Sequence, residues 1–215
     1  MTFHIITLFP GSFDSYLGES ILKRALEDGK IKVKFYNPRD YADDKWARVD
    51  QKPYGGGPGM VIQALPVIKA IEKAKKAAGK AATKIVYFKT SGRQFDTAFA
   101  KASAKRYKHV IFVCGRYEGI DARIEKAFKM EPVSVGPFVL TGGELPAMIM
   151  IDCISRQIEG VLGNFDSREE ERISSPDAYT RPEVISYKGK NYRVPKVLLS
   201  GNHKLIDKWR QSRKA

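Results

Sequence analysis

Apolar positions along this chain fall into short β-branched runs separated by helical repeats. Phe3 to Leu8, Ile31 to Tyr36, Lys84 to Phe88, Val110 to Cys114 and Val133 to Leu140 read as strands. Between the first two, Leu17, Ile21, Leu22, Ala25 and Leu26 recur at the spacing of one helix face, and Gly29 ends the pattern. Leu65, Ile68, Ile71 and Ala78 mark a second helix whose other positions carry Lys69, Lys73, Lys75 and Lys76, a face suited to solvent. After a turn at Thr90 to Arg93, Phe95, Phe99 and Ala102 lie on one face of a helix ending near Tyr107. Helical patterns also follow the Val110 and Val133 runs. Five alternations of strand and helix predict an α/β fold with a mainly parallel sheet, although periodicity does not give the strand order.

Two regions escape this pattern. Residues 39–60 have no usable period and many turn residues, and a long loop in a compact domain is often functional. After Ile158 the composition changes. A polar stretch with the acidic run Asp166-Ser-Arg-Glu-Glu-Glu-Arg172 reads as a linker or lid over residues 161–180. Residues 181–215 then hold ten Lys and Arg against Glu183 and Asp207, with one short amphipathic helix from Lys204 to Arg210. The expected organisation is therefore an α/β domain over 1–160, the lid, and a basic C-terminal segment.

Composition narrows the partners. With 43% hydrophobic residues in 215, the chain can bury one full-size core plus a small appendage. An excess of 38 Lys and Arg over 24 Asp and Glu favours a polyanion, and nucleic acid ahead of a membrane surface. No apolar run approaches the roughly 18 residues a membrane helix needs, and MTFHIITLFP lacks the features of a signal peptide, so a cytoplasmic protein is expected. Cys114 and Cys153 sit in apolar contexts without metal-ligand spacing and read as small core residues in a reducing compartment.

Residues 110–151 concentrate the candidate chemistry. Two strand runs there lead into glycine turns that open toward helices, and glycines let backbone amides approach a ligand where a Cβ would collide. Gly55-Gly56-Gly57-Pro58-Gly59 is not followed by Lys-Ser/Thr, and no G-x-G-x-x-G follows a strand, so the common phosphate and dinucleotide signatures fail. His4, His109 and His203 make no zinc motif, and no G-x-S-x-G elbow occurs. What remains is a backbone-rich site with Arg116, Glu118, Glu144 and Arg156 beside it, suited to a flat heterocycle such as adenine. A plain tight turn before a helix is the alternative reading of Gly142-Gly143.

PYGGGPGM (53–60), VCGRYEGID (113–121), VGPFVLTGGELPAM (135–148), YTRPEV (179–184) and LLSGNH (198–203) occur in an order and spacing that resemble the bacterial tRNA (guanine-N1)-methyltransferases, of the knotted SPOUT class. The resemblance spans nearly the whole chain. It implies a parallel sheet with helices on both faces, a C-terminal trefoil knot that ordinary topology rules would not suggest, and a homodimer with active sites between subunits. It also implies S-adenosylmethionine as methyl donor, bound in the knot in a bent pose. Donor contacts would fall on Tyr87, Phe88, Lys89, Thr90, Ser91, Gly115, Tyr117, Glu118, Gly119, Val135, Gly136, Phe138, Leu140, Gly142, Gly143 and Pro146.

The implied substrate is tRNA, methylated on the guanosine 3′ of the anticodon, itself preceded by a guanosine, with magnesium assisting. Nitrogen 1 of guanine carries a proton at neutral pH, so its methylation needs a base to remove that proton and a cation for the charge developing on the exocyclic oxygen. Arg156 supplies the cation. The family's aspartate, four residues after a serine, corresponds here to Glu171, with Glu170, Glu169 and Asp177 as alternatives because the lid is shorter than usual. Pro137 also replaces a commonly acidic residue. Relatives continue into a fuller helical domain after Trp209, so a truncated extension is expected here, with RNA binding resting on the basic tail and lysine faces. A non-catalytic RNA-binding protein of the same fold is the rival reading.

Overall fold

A computed structural model describes residues 1–163 and 177–212. The chain divides into two compact units, residues 1–163 and 164–215. In the first, β1 (Thr2–Ile6), α1 (Asp14–Leu17), α2 (Ser20–Glu27) and β2 (Lys32–Tyr36) are followed by the two-residue strands β3 (Asp50–Gln51) and β4 (Val61–Ile62). Then come α3 (Ala64–Ala78), β5 (Thr83–Gln94), α4 (Thr97–Arg106), β6 (His109–Val113), α5 (Arg123–Phe128), β7 (Glu131–Ser134) and α6 (Glu144–Ser155).

Five strands form one parallel sheet in the order β2-β1-β6-β5-β7, so the expected α/β class with a parallel sheet holds. Alternation along each strand sends side chains to opposite faces, and both faces are covered. Phe3, Ile5, Val110, Phe112 and Val86 pack with Leu22 and Ala25 of α2, Phe99 of α4, and Met150, Ile151 and Ile154 of α6. Ile6, Ile111 and Val113 face Val67, Ala70, Ile71 and Ala74 of α3 and Ile124 of α5. On that second face a polar chain runs through the sheet: the fully buried His4 is 2.9 Å from the Tyr36 hydroxyl through Nδ1 and 2.9 Å from His109 Nδ1 through Nε2.

Several elements depart from the sequence reading. The helix expected through Leu17 and Leu26 is broken into α1 and α2, and Ile21 is exposed. In α3, Leu65 points to solvent at 59% exposure, and the buried row is Pro66, Val67, Ala70, Ile71, Ala74 and Ala78. Alanines on that row let the helix approach the sheet closely, a role that hydrophobicity counting undervalues. The expected turn at Thr90 to Arg93 lies inside β5, where Phe88 and Arg93 both pair with Val133 and the residues between them bulge out. Gly92 is pressed against the Pro132–Val133 backbone there, and a Cβ would lie 2.6 Å from it.

The strand expected over Val133 to Leu140 stops at Ser134. Ser134 Oγ donates to the Gly136 carbonyl at 3.0 Å and accepts from Gly136 N at 3.3 Å, and this local turn offers the backbone an alternative to the ladder. Residues 135–140 become a loop.

In the second unit, β8 (Val184–Tyr187) and β9 (Lys190–Arg193) form a hairpin, followed by α7 (Lys196–Leu199) and α8 (His203–Ser212). Lys188 and Gly189 both have positive φ, 49° and 73°, as a two-residue turn matching strand twist requires. The rings of Tyr179 and Trp209 approach to 6.3 Å. Sequence periodicity had found only the helix.

Candidate active site

Because β5, β6 and β7 are parallel and adjacent, their C-terminal ends open on the same side, where such sheets bind ligands. Phe88 to Thr90, the 115–119 turn and the 133–143 loop enclose a cleft of about 250 Å³ there. Its wall includes Phe88, Lys89 and Thr90; Gly115, Tyr117, Glu118 and Gly119; and Val135, Gly136, Phe138, Leu140, Gly142, Gly143 and Pro146. Tyr87 and Ser91 stand apart from the other expected donor contacts. Tyr87 is buried beneath the cleft with its hydroxyl donating to Glu125 Oε2 at 2.5 Å, and that burial and bond push its pKa above the usual phenol range. Ser91 lies in the β5 bulge, outside the cleft wall.

The glycines are placed by close approach. Gly143 N donates to Gly115 O at 3.0 Å, and a Cβ on Gly143 would lie 2.6 Å from the Cys114 Cα. Gly142 pairs with Arg116 as an isolated antiparallel bridge, and the ring of Phe138 lies where a Gly136 side chain would go. The glycine loop at 55–59 reaches this site as well. Glu118 N donates to Met60 O at 3.0 Å, and the Glu118 carboxylate covers Gly59. Glu118 therefore also borders a second, broader groove, which Arg48, Lys52 and Tyr54 help to line.

Under the glycine turn lies a charged network. Glu144, 3% exposed in the first turn of α6, accepts from Thr7 Oγ1 at 2.7 Å and approaches Arg116 Nε at 3.0 Å. The Arg116 guanidinium in turn stacks 4.6 Å over the Phe9 ring. A carboxylate at a helix N-terminus is favoured by the helix dipole. Beside this pair, full burial raises the Cys114 thiol well above its usual pKa and Glu144 adds to the effect, so Cys114 is an inert core residue, as its sequence context implies.

Comparison with known proteins turns this geometry into a family assignment. A model of the family described as tRNA (Guanine-1)-methyltransferase TrmD matches residues 1–215. The chain belongs to this family. It is 47% identical to the tRNA (guanine-N(1)-)-methyltransferase of Pseudoalteromonas translucida, over 96% of this chain and 80% of that protein. Identity to the enzymes of the same description is 45% for Nitrosococcus oceani and 44% for Clostridioides difficile, each over 98% of this chain and over 82% and 91% of those proteins.

Membership in a methyltransferase family implies S-adenosylmethionine, and the residues present fit it. Gly136, Gly142 and Gly143 let Phe138, Arg116 and Cys114 pack where side chains would stand, which draws the two turns together around an adenosine-sized cleft, and Lys89, Arg116 and Glu118 bring both signs of charge to the zwitterionic end of such a donor. The donor contacts implied by the resemblance leave out Val133, Ser134, Val139, Thr141 and Arg116, although the residue pattern itself sets Arg116 beside the site. Arg116 was visible as a charge between two glycines, but only the fold turns it toward the cleft.

Arg156, at the C-terminal end of α6, is not among the cleft-lining residues. Glu169, Glu170 and Glu171 lie outside the described residues, and Asp177 belongs to the second unit. Among the described residues no group of three or more His, Cys, Asp or Glu side chains is arranged to hold a metal ion, and no helix is long and apolar enough to cross a membrane.

Proposed function

We propose that this chain methylates nitrogen 1 of the guanosine 3′ of the tRNA anticodon, preceded by another guanosine, with S-adenosylmethionine in the cleft at the ends of β5, β6 and β7. The cleft itself, with the two glycine turns and Lys89, Arg116 and Glu118 in its wall, carries the reading. When bound, the donor supplies an electrophilic methyl group on a sulfonium. The protein's part is to bring guanine to it, take the N1 proton onto a carboxylate and offset the charge growing on the exocyclic oxygen. Glu171 is our choice for the base, with Glu170, Glu169 or Asp177 in reserve, and Arg156 for the cation. Tyr87 and Ser91 act on the donor through Phe88 and Thr90 beside them. The three loops that converge on the cleft are the place for a trefoil knot. The net charge of +14 favours a tRNA partner, with the 161–180 lid and the basic 181–215 segment gripping it. An assisting magnesium ion rests on the family resemblance alone, and the enzyme works in the cytoplasm.

The course of α6 supports a homodimer in this reading. The helix starts at the cleft with Gly143 and Pro146, and its rise of 1.5 Å per residue sets Arg156 about 18 Å further along. Arg156 is thus better placed to serve the cleft of a second copy than its own. Leu145 and Ile149, one turn apart on α6, stay 55% and 41% exposed, and the exposed Tyr16 donates its hydroxyl to Asp152 of the same helix; such an apolar row suits an isologous contact.

The test is transfer of labelled methyl groups to a tRNA transcript. Activity that persists when the target guanosine is replaced by adenosine would overturn the substrate. Wild-type turnover in Glu171→Ala, with loss in Glu170→Ala, would move the base. Donor binding by calorimetry without any transfer to tRNA would favour a non-catalytic RNA-binding protein.

A further inference from the structure

We infer that Arg116 is a donor-binding residue that takes the carboxylate of the methionine end of S-adenosylmethionine, and that the buried Glu144 orients it for that task. The inference rests on the donor reading of the cleft and adds a residue that the family motif did not assign.

The argument begins with unmet hydrogen bonds. Glu144 places one carboxylate oxygen on Thr7 Oγ1, and its other oxygen lies 3.0 Å from Arg116 Nε. Those two atoms are close but misaligned, so Nε and Oε2 are both buried without a well-formed hydrogen bond. Their attraction is ionic, and it fixes the guanidinium plane together with the Phe9 ring 4.6 Å below. Of the remaining guanidinium donors, Nη1 reaches the Thr141 carbonyl among the described residues, at 3.5 Å, a long contact. A guanidinium offers five N–H groups in a rigid fork; Nε is buried against Glu144, while the terminal nitrogens are not among the buried unpartnered atoms and Arg116 lines the cleft. An anionic acceptor arriving in the cleft would take their hydrogen bonds over from water.

A carboxylate matches the planar fork with two parallel hydrogen bonds. Among the cleft-lining residues the other cation is Lys89, which is exposed and would serve as a mobile point charge. Glu118, the carboxylate of the same wall, would repel this group and is suited to the donor's ammonium instead. Gly142 is small for the same reason, since a Cβ there would collide with Arg116 and lie 2.6 Å from Glu144 Oε2.

The experiment compares two ligands by calorimetry: S-adenosylhomocysteine, which keeps the amino-acid end, and 5′-methylthioadenosine, which lacks it. Charge-assisted hydrogen bonds of about 1.5–3 kcal/mol correspond to at least about tenfold tighter binding of the first ligand by the wild type. In Arg116→Met most of that advantage should be lost, leaving the share that Glu118 supplies through the ammonium, while methylthioadenosine binds as before. Glu144→Gln should lose part of it.

Because one half of a broken buried pair destabilises the fold, the double variant Arg116→Met with Glu144→Gln is measured alongside. It should regain the melting temperature lost by either single change and still show the reduced preference. Equal weakening of both ligands in the double variant would reduce the pair to a structural role, and a preference for S-adenosylhomocysteine as large as that of the wild type would overturn the inference. If neither ligand binds the wild type, the donor reading itself falls.

Discussion

Two glycine-rich stretches meet at Glu118, and they use glycine for different reasons. In the 55–59 loop, Gly56 has φ +80 and nothing within 4 Å of where a Cβ would stand. In the 136–143 loop, Gly143 has no left-handed φ, but its Cβ would lie 2.6 Å from the Cys114 backbone and 3.0 Å from the Phe88 ring. The first glycine supplies a conformation, and the second makes room for a neighbour. Sequence inspection treats GGGPG and TGG alike. Only the fold separates a loop that must bend from a wall that must be thin.

Breaking that contrast should affect donor binding most at the wall. Gly143→Ala forces backbone apart at the end of β6, an overpacking cost of about 1–3 kcal/mol, so the donor Kd should rise by about tenfold to a hundredfold in calorimetry. Both loops depend on the sheet beneath them, which acid should weaken. Burial, reinforced by His109 and Lys34, depresses His4 to a pKa of about 4, below the usual 6.5. An unfolded chain takes up that proton first, so stability is full above about pH 6.5 and falls toward pH 4, by up to ~3 kcal/mol. Urea titrations at pH 7 and 5 should show the loss, and His4→Gln should flatten it.

Gly136→Ala meets the Phe138 side chain, not backbone, and the ring can swing aside. The donor Kd should rise by only about threefold to tenfold, in line with ~1 kcal/mol of side-chain rearrangement. Smallest is Gly56→Ala. A left-handed alanine costs about 1–2 kcal/mol of loop preference, which should appear as a weaker tRNA KM while donor affinity stays within about twofold. A donor Kd that rose as far in Gly56→Ala as in Gly143→Ala would erase the distinction.

Much of the sheet was readable because β1, β2, β5 and β6 carry contiguous β-branched and aromatic residues bounded by turns. The 133–140 run was misread because Val135, Phe138, Val139 and Leu140 resemble a buried strand, whereas Ser134 and Gly136 bend the chain through one side-chain hydroxyl. The hairpin at 184–193 was missed because KGKNYR has no clean alternation, although Lys188-Gly189 held the turn signal. In the cleft, resemblance to the family located most of the wall. It omitted Arg116, whose role depends on Thr7 and Phe9, more than a hundred residues away in sequence, and no local pattern conveys that proximity.

The same sheet order sets a timetable for biosynthesis. β1 is hydrogen-bonded on one side to β2 and on the other to β6, which ends at Val113. At ribosomal rates of about 5–20 residues per second, the first strand waits roughly 5–20 s after its own synthesis before its second neighbour exists. Until then TFHII presents an open edge, and its apolar side chains are available to another nascent chain. High temperature or fast overexpression, which crowd many such edges together, should therefore lower the soluble yield of this protein before they disturb its finished cleft.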